Sequence, residues 1–155
     1  MGILGIRKTY KVYVDATISN MQDLNLPKEA FVAYVVEGSK LRGVQKVEAS
    51  ETDDAELQAI LFAMDELNGK LKRFIIFCDH ESVVSQVKLE QGNYKLKNQF
   101  LNDVRSRLRA NPSIKVDLFN KNPAHRYLKK HLIKKCEIPN KTNKNYSIKM
   151  DVNED

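Results

Sequence analysis

Three carboxylates stand where this chain can gather negative charge at one place. Asp15 closes the run Tyr10-Lys11-Val12-Tyr13-Val14, whose alternating residues and β-branched valines read as a strand. Asp79 closes a second strand-like run, Phe74-Ile75-Ile76-Phe77-Cys78. Glu56 lies just inside a helix that opens at Asp53-Asp54. Its neighbours at i+3, i+4 and i+7 are Ala59, Ile60 and Ala63, so it sits on the apolar side. A carboxylate taken out of water needs a cation nearby. Each acid also has an ordinary reading. Asp53-x-x-Glu56 has the form of a capping box, Asp79 can cap the next helix, and Asp15 can form a turn. Their joint placement at strand ends, the binding edge of a parallel α/β sheet, favours one site made of all three.

The elements that must position these acids follow from changes of period. After the first strand, Ile18 to Ala30 reads as a loop. Phe31 to Glu37 is a second strand, Gly38-Ser39 a hairpin turn, and Leu41 to Ala49 a third strand with a possible bulge at Gly43. From Asp54 to Leu67 the apolar residues recur at helical spacing, and Asn68-Gly69 ends that helix. Arg73 to Cys78 is a strand, Glu81 to Leu89 a short helix, and Leu96 to Arg109 a longer one striped by Phe100, Leu101, Val104 and Leu108. Ile114 to Phe119 alternates as a fifth strand. Asn122-Pro123, a capping residue before a first-turn proline, opens a last helix that runs to about Lys135. The order β-β-β-α-β-α-α-β-α predicts an α/β fold. Strands two and three pair antiparallel beside strand one, and strands one, four and five lie parallel through helical crossovers.

At 155 residues, with 42% hydrophobic and 30% charged side chains, the chain reads as one globular domain. Residues 1–136 form the domain, and 137–155 are expected to be a mobile polar tail. No apolar run approaches the ~20 residues of a membrane span, so a cytoplasmic location without a membrane partner is expected; a monomer is expected as well. Cys78 and Cys136 share no metal-ligand spacing and read as idle thiols. The net charge of +6 is uneven. Residues 88–135 hold thirteen Lys or Arg and three acids, whereas 48–66 hold seven acids and no base. A basic half beside an acidic cluster suits a polyanion backbone approaching a metal-loaded site; a solvated helix surface is the plainer alternative.

The sequence resembles type 1 ribonuclease H, within the ribonuclease H-like superfamily. Val14-Asp15-Ala16-Thr17 matches its strand-one Asp-Gly-Ser, and Thr52-Asp53-Asp54-Ala55-Glu56-Leu57 matches its Asn-Asn-x-Ala-Glu-Tyr. Asp79-His80-Glu81-Ser82-Val83-Val84 stands for Asp-Ser-x-x-Val-Val, and Asn122 to Leu128 for the helix that normally reads Ala-Asp-x-Leu. The resemblance implies a ribonuclease H-like five-stranded mixed sheet with helices on both faces. It also implies hydrolysis of the RNA strand of RNA–DNA hybrids with two Mg²⁺ ions, or Mn²⁺, held by the catalytic residues Asp15, Glu56 and Asp79. Of these, Asp15 would bridge the ions; one ion would generate the attacking hydroxide and the other stabilise the departing 3′-oxygen. Thr17, Thr52, Asp53, Lys95, Lys97, Arg105, Arg107 and Arg109 would contact nucleic acid, holding phosphates without reading sequence.

Four positions depart from that pattern. His125 stands for the fourth carboxylate, where it can ligate a metal when neutral or pack beside Leu128 and Leu132. Ala16 replaces a glycine, the loop 18–30 lacks the family's glycines, and Asp53 replaces an asparagine. These motivate an alternative, a catalytically weak or inactive nucleic-acid-binding module of the same fold. A proofreading exonuclease is disfavoured, since Thr17 stands where Asp-x-Glu would put an acid. His80 reads as a capping or exposed residue.

Overall fold

Alternation along the strands decides which side chains meet which helices. A computed structural model of the chain describes residues 8–18, 28–88 and 98–137, with side chains as far as Lys130 in the last helix. Among the described residues the order is β1 (Tyr10–Ile18), β2 (Lys28–Val36), β3 (Arg42–Ala49), α1 (Thr52–Leu67), β4 (Phe74–Cys78), α2 (Glu81–Lys88), α3 (Gln99–Ala110), β5 (Ile114–Leu118) and α4 (Pro123–Glu137). The five strands form one sheet in the order β3-β2-β1-β4-β5. β1 pairs antiparallel with β2, β2 with β3, and the β1–β4 and β4–β5 ladders are parallel. This is the expected mixed sheet. The hairpin and the short β1–β2 link force antiparallel neighbours, while helical crossovers return the chain in parallel.

One sheet face carries Val12 and Val14 of β1, Val32, Tyr34 and Val36 of β2, and Phe74, Ile76 and Cys78 of β4. It is covered by Leu57, Ile60, Met64 and Leu67 of α1, the valines of α2, and Leu101 and Val104 of α3. The other face carries Tyr13 and Val35, covered by Ala124 at the start of α4. Asp15 has the parity of Tyr13, so β1 directs it toward α4.

Several boundaries differ from the sequence reading. β2 begins at Lys28, not Phe31, because Lys28 to Ala30 pair with Val47 to Ala49. β3 has no bulge; Tyr34 pairs with Gly43 in an unbroken register. The glycine serves space instead. A Cβ there would lie 2.9 Å from Tyr34 Cε1 and 3.3 Å from Phe62 Cζ, two rings in edge contact at 5.4 Å. Gly43→Ala is expected to destabilise the fold by about 1–3 kcal/mol through overpacking, read as a lower urea midpoint at unchanged m. Gly69, with φ of 83°, ends α1 as anticipated, while Lys70 and Leu71 donate back to the Leu67 carbonyl. α3 starts at Gln99 with Asn98 as its cap, whose side chain accepts from Phe100 and Leu101. The predicted start at Leu96 and the tail from residue 138 onward lie outside the described residues. No described helix is long and apolar enough to cross a membrane.

Candidate active site

The β1–β4 ladder ends at the pair Tyr13 and Phe77. Two residues further on each strand come Asp15 and Asp79, where the strands part while β1 continues alongside β2 to Ile18. This opening at the carboxyl ends of parallel strands is the place where such sheets bind ligands. Glu56 reaches it from α1. It is 4% exposed, although the capping-box reading would turn it toward its own helix start. The box is not made: α1 begins at Thr52, Glu51 occupies the cap position without a side-chain bond, and Asp53 already lies inside the helix. Glu56 Oε1 accepts instead from Cys78 Sγ at 3.5 Å. The ligand atoms of Glu56, Cys78 and Asp79 all lie within 4.8 Å of one another.

Asp15, 5% exposed, is held from the other face. His125 Nδ1 lies 2.8 Å from its Oδ2. The helix that carries His125 is fastened to β1 at the adjacent residue, since Asn122 Nδ2 donates to the Val14 carbonyl at 2.5 Å. The Asn122 side-chain oxygen caps the helix by accepting from Ala124 N at 2.9 Å. The His125 side chain is 63% exposed, so it is not packed beside Leu128.

The acids strain one another electrostatically. Burial, then the charges of Asp15 and Asp79, raise the Glu56 pKa to about 8. Burial also raises that of Asp15, with Asp79 adding to it and the His125 hydrogen bond opposing it. Two buried carboxylates pushed toward their protonated forms make a place that a divalent cation would stabilise, expelling the proton. The donor set fits a hard cation. Glu56, Asp79 and Asp15 offer oxygens, while burial and the neighbouring Glu56 push the Cys78 thiol well above its ordinary range, so it stays protonated and is a poor ligand.

The start of α1 gathers further polar contacts. Asp53 Oδ1 lies 3.3 Å from His80 Nε2, and Asp53 Oδ2 accepts from Ser82 Oγ at 3.3 Å. Asp54 accepts from Asn98 Nδ2 at 2.5 Å and from Ser50 Oγ, tying α3 to the same helix start. Of the residues expected to touch nucleic acid, Thr17 lies on β1 two residues past Asp15, and Thr52 begins α1. Arg109 is exposed, and Arg107 pairs with Asp65. Arg105 is turned inward. It is 8% exposed, and its guanidinium donates to the Gln86 and Val87 carbonyls, bracing α3 against α2 rather than facing solvent. Lys95 and Lys97 lie outside the described residues.

Cys78, Asn122 and His80 make long-range contacts that the sequence reading did not give them. Cys78 had a usable signal, because it shares parity with Phe74 and Ile76 and so must face the helices that cover them. Asn122 and His80 act across 108 and 27 residues, and no local pattern announces such contacts.

A mixed five-stranded sheet with an acidic opening beside its central strand defines a ribonuclease H-like α/β protein. The family model described as reverse transcriptase-like matches residues 34–124, and the chain belongs to that family. No curated protein sequence matches the chain. Among solved structures, the chain is similar to ribonuclease H1 from the halophilic archaeon Halobacterium salinarum, at 16% identity and a TM-score of 0.55, covering 74% of this chain and 87% of that one. It is similar to LC11 ribonuclease H1 in complex with an RNA/DNA hybrid, at 18% identity and a TM-score of 0.57, covering 76% and 92%. It is also similar to the foamy viral protease-reverse transcriptase in complex with double-stranded DNA, at 15% identity and a TM-score of 0.58, covering 74% and 83%. At these identities the likeness is one of fold.

Proposed function

We propose that the chain is a divalent-cation-dependent endonuclease that cuts the RNA strand of RNA–DNA hybrids. The observation that carries this reading is the convergence of Asp15, Glu56 and Asp79, from β1, α1 and the end of β4, on one opening where burial and neighbouring charge raise the proton affinity of Asp15 and Glu56. Asp15, Glu56 and Asp79 would hold Mg²⁺ or Mn²⁺, two ions per site, with His125 beside Asp15. Bound divalent ions supply water activation and neutralise charge at the scissile phosphate and the departing oxygen.

The chain's own groups set the conditions for that chemistry. Without a cation the ionised carboxylates of the opening repel a phosphodiester, which makes substrate approach dependent on the ions. Glu56 carries its proton at neutral pH until a cation displaces it. His125, fixed by the Asn122 clamp, holds one oxygen of Asp15 and orients the other. Thr17, Thr52 and Asp53 border the opening and would meet the sugar and phosphate of the bound strand. Asp53 can accept from a 2′-hydroxyl, the group that separates RNA from DNA. Lys95, Lys97, Arg107 and Arg109 would hold phosphates further along, with Arg105 as a brace behind them. We take the working unit to be a cytoplasmic monomer.

A second reading is a module that binds hybrids without cutting them, favoured by the histidine at 2.8 Å from Asp15 where the resemblance expects another acid. One experiment separates the two: an end-labelled RNA–DNA hybrid incubated with Mg²⁺ and with Mn²⁺, beside single-stranded RNA, duplex RNA, duplex DNA and the Asp79→Asn variant. Hybrid-only cleavage that vanishes in the variant supports the endonuclease. Tight, metal-independent hybrid binding with the RNA left intact supports the module.

A further inference from the structure

Asp79 is exposed and lies one residue past the last β4–β5 ladder pair, Cys78 with Leu118. The charge of Asp15 repels it, so the loop that carries it needs a tether. The next residue supplies one. His80 Nε2 lies 3.3 Å from Asp53 Oδ1, one turn before Glu56 on α1. The His80 backbone N–H points back to Cys78 Sγ, the thiol that donates to Glu56. Ser82 Oγ donates to the second oxygen of Asp53, so the same carboxylate holds both the loop and the start of α2 behind it. The loop with Asp79 is thus fastened to the helix with Glu56 both through side chains and through the Cys78 thiol.

The other ring nitrogen argues against a purely stabilising role. His80 Nδ1 is shut off from solvent and has no hydrogen-bond partner among the described residues. A buried nitrogen left unpaired weakens a fold, so a ring kept there is better explained by where it holds its neighbours than by stability.

We propose that His80, clasped to Asp53, is a positioning residue that sets the Asp79 carboxylate against Glu56 and thereby tunes uptake of a divalent cation. The proposal rests on the reading of Asp15, Glu56 and Asp79 as a cation site. His80 itself touches neither ion nor substrate. Groups that orient ligands in this way commonly change metal affinity about 10- to 100-fold.

The test is Mn²⁺ binding to the full chain without nucleic acid, by calorimetry and by the resonance signal of free Mn²⁺, for wild type, His80→Ala and His80→Gln. Glutamine keeps a donor nitrogen near the position of Nε2. His80→Ala is expected to bind about tenfold more weakly and His80→Gln to recover most of the affinity. His80 supplies no ligand to the cation, so a weaker affinity reports geometry. Equal affinity of wild type and His80→Ala overturns the positioning role and leaves the cation site standing. Equal weakening in both variants overturns the contact with Asp53 as its cause. A wild type that takes up no Mn²⁺ overturns the cation site, and the clasp with it.

Discussion

Replacing Glu56 by glutamine is expected to make the metal-free protein more stable than wild type at pH 8, and to erase its thermal response to Mg²⁺. The folded state raises the pKa of this carboxyl from 4.5 to about 8. Between those values the folded chain binds more protons than the unfolded one, so wild-type stability falls as pH rises. The contribution is fully present below about pH 4.5 and lost by about pH 8, a difference on the order of a few kcal/mol. For a chain of this size each kcal/mol moves the melting temperature by about 2–4 °C. Glutamine has no proton to lose, so its melting temperature should pull ahead of wild type from pH 5 to pH 8 without metal. Mg²⁺ at pH 8 should raise only the wild type. Parallel pH profiles for the two proteins, or equal Mg²⁺ shifts, would show that Glu56 is not a buried carboxyl awaiting a cation.

Asp15→Asn should lower hybrid cleavage about 10³-fold or more, the rate equivalent of losing several kcal/mol of charge stabilisation at the phosphate. The substitution keeps the shape of the side chain and an oxygen for His125 Nδ1, so the fold and the α4 anchor should survive. Hybrid binding without divalent ions should be retained or tightened, since one of the charges that repel phosphate is gone. Single-turnover cleavage and filter binding on the same preparation separate the two effects. A variant within tenfold of wild-type rate would remove Asp15 from the chemistry.

The architecture was legible because its signals are local. Strand alternation, the helical stripe from Leu57 to Leu67 and the Gly69 stop each depend on residues a few positions apart. Their order then leaves few sheet topologies. Where the reading slipped, a longer-range partner decided. Gly43 suggested a bulge, but the space it leaves is taken by Tyr34 and Phe62, which arrive from β2 and α1. Asp53-x-x-Glu56 satisfied the form of a capping box, yet the helix starts two residues earlier and Glu56 is drawn to Cys78. The resemblance sets Arg105 among the residues that hold phosphates. Its spacing from Leu101, four residues, already placed it on the buried side of α3, and two backbone carbonyls satisfy it there.

By itself, the sequence determined the elements, their order and which acids end up near the carboxyl edge of the sheet. Those follow from periodicity, turn chemistry and the handedness of crossovers, all of which are written locally in the chain. Only the tertiary structure decided the partners: His125 on Asp15 across 110 residues, the Cys78 thiol on Glu56, and His80 on Asp53. It also decided the degree of burial, and with it the raised proton affinity of Glu56. Burial and long-range polar contacts arise from how faces pack together, and the same local pattern is compatible with many such packings.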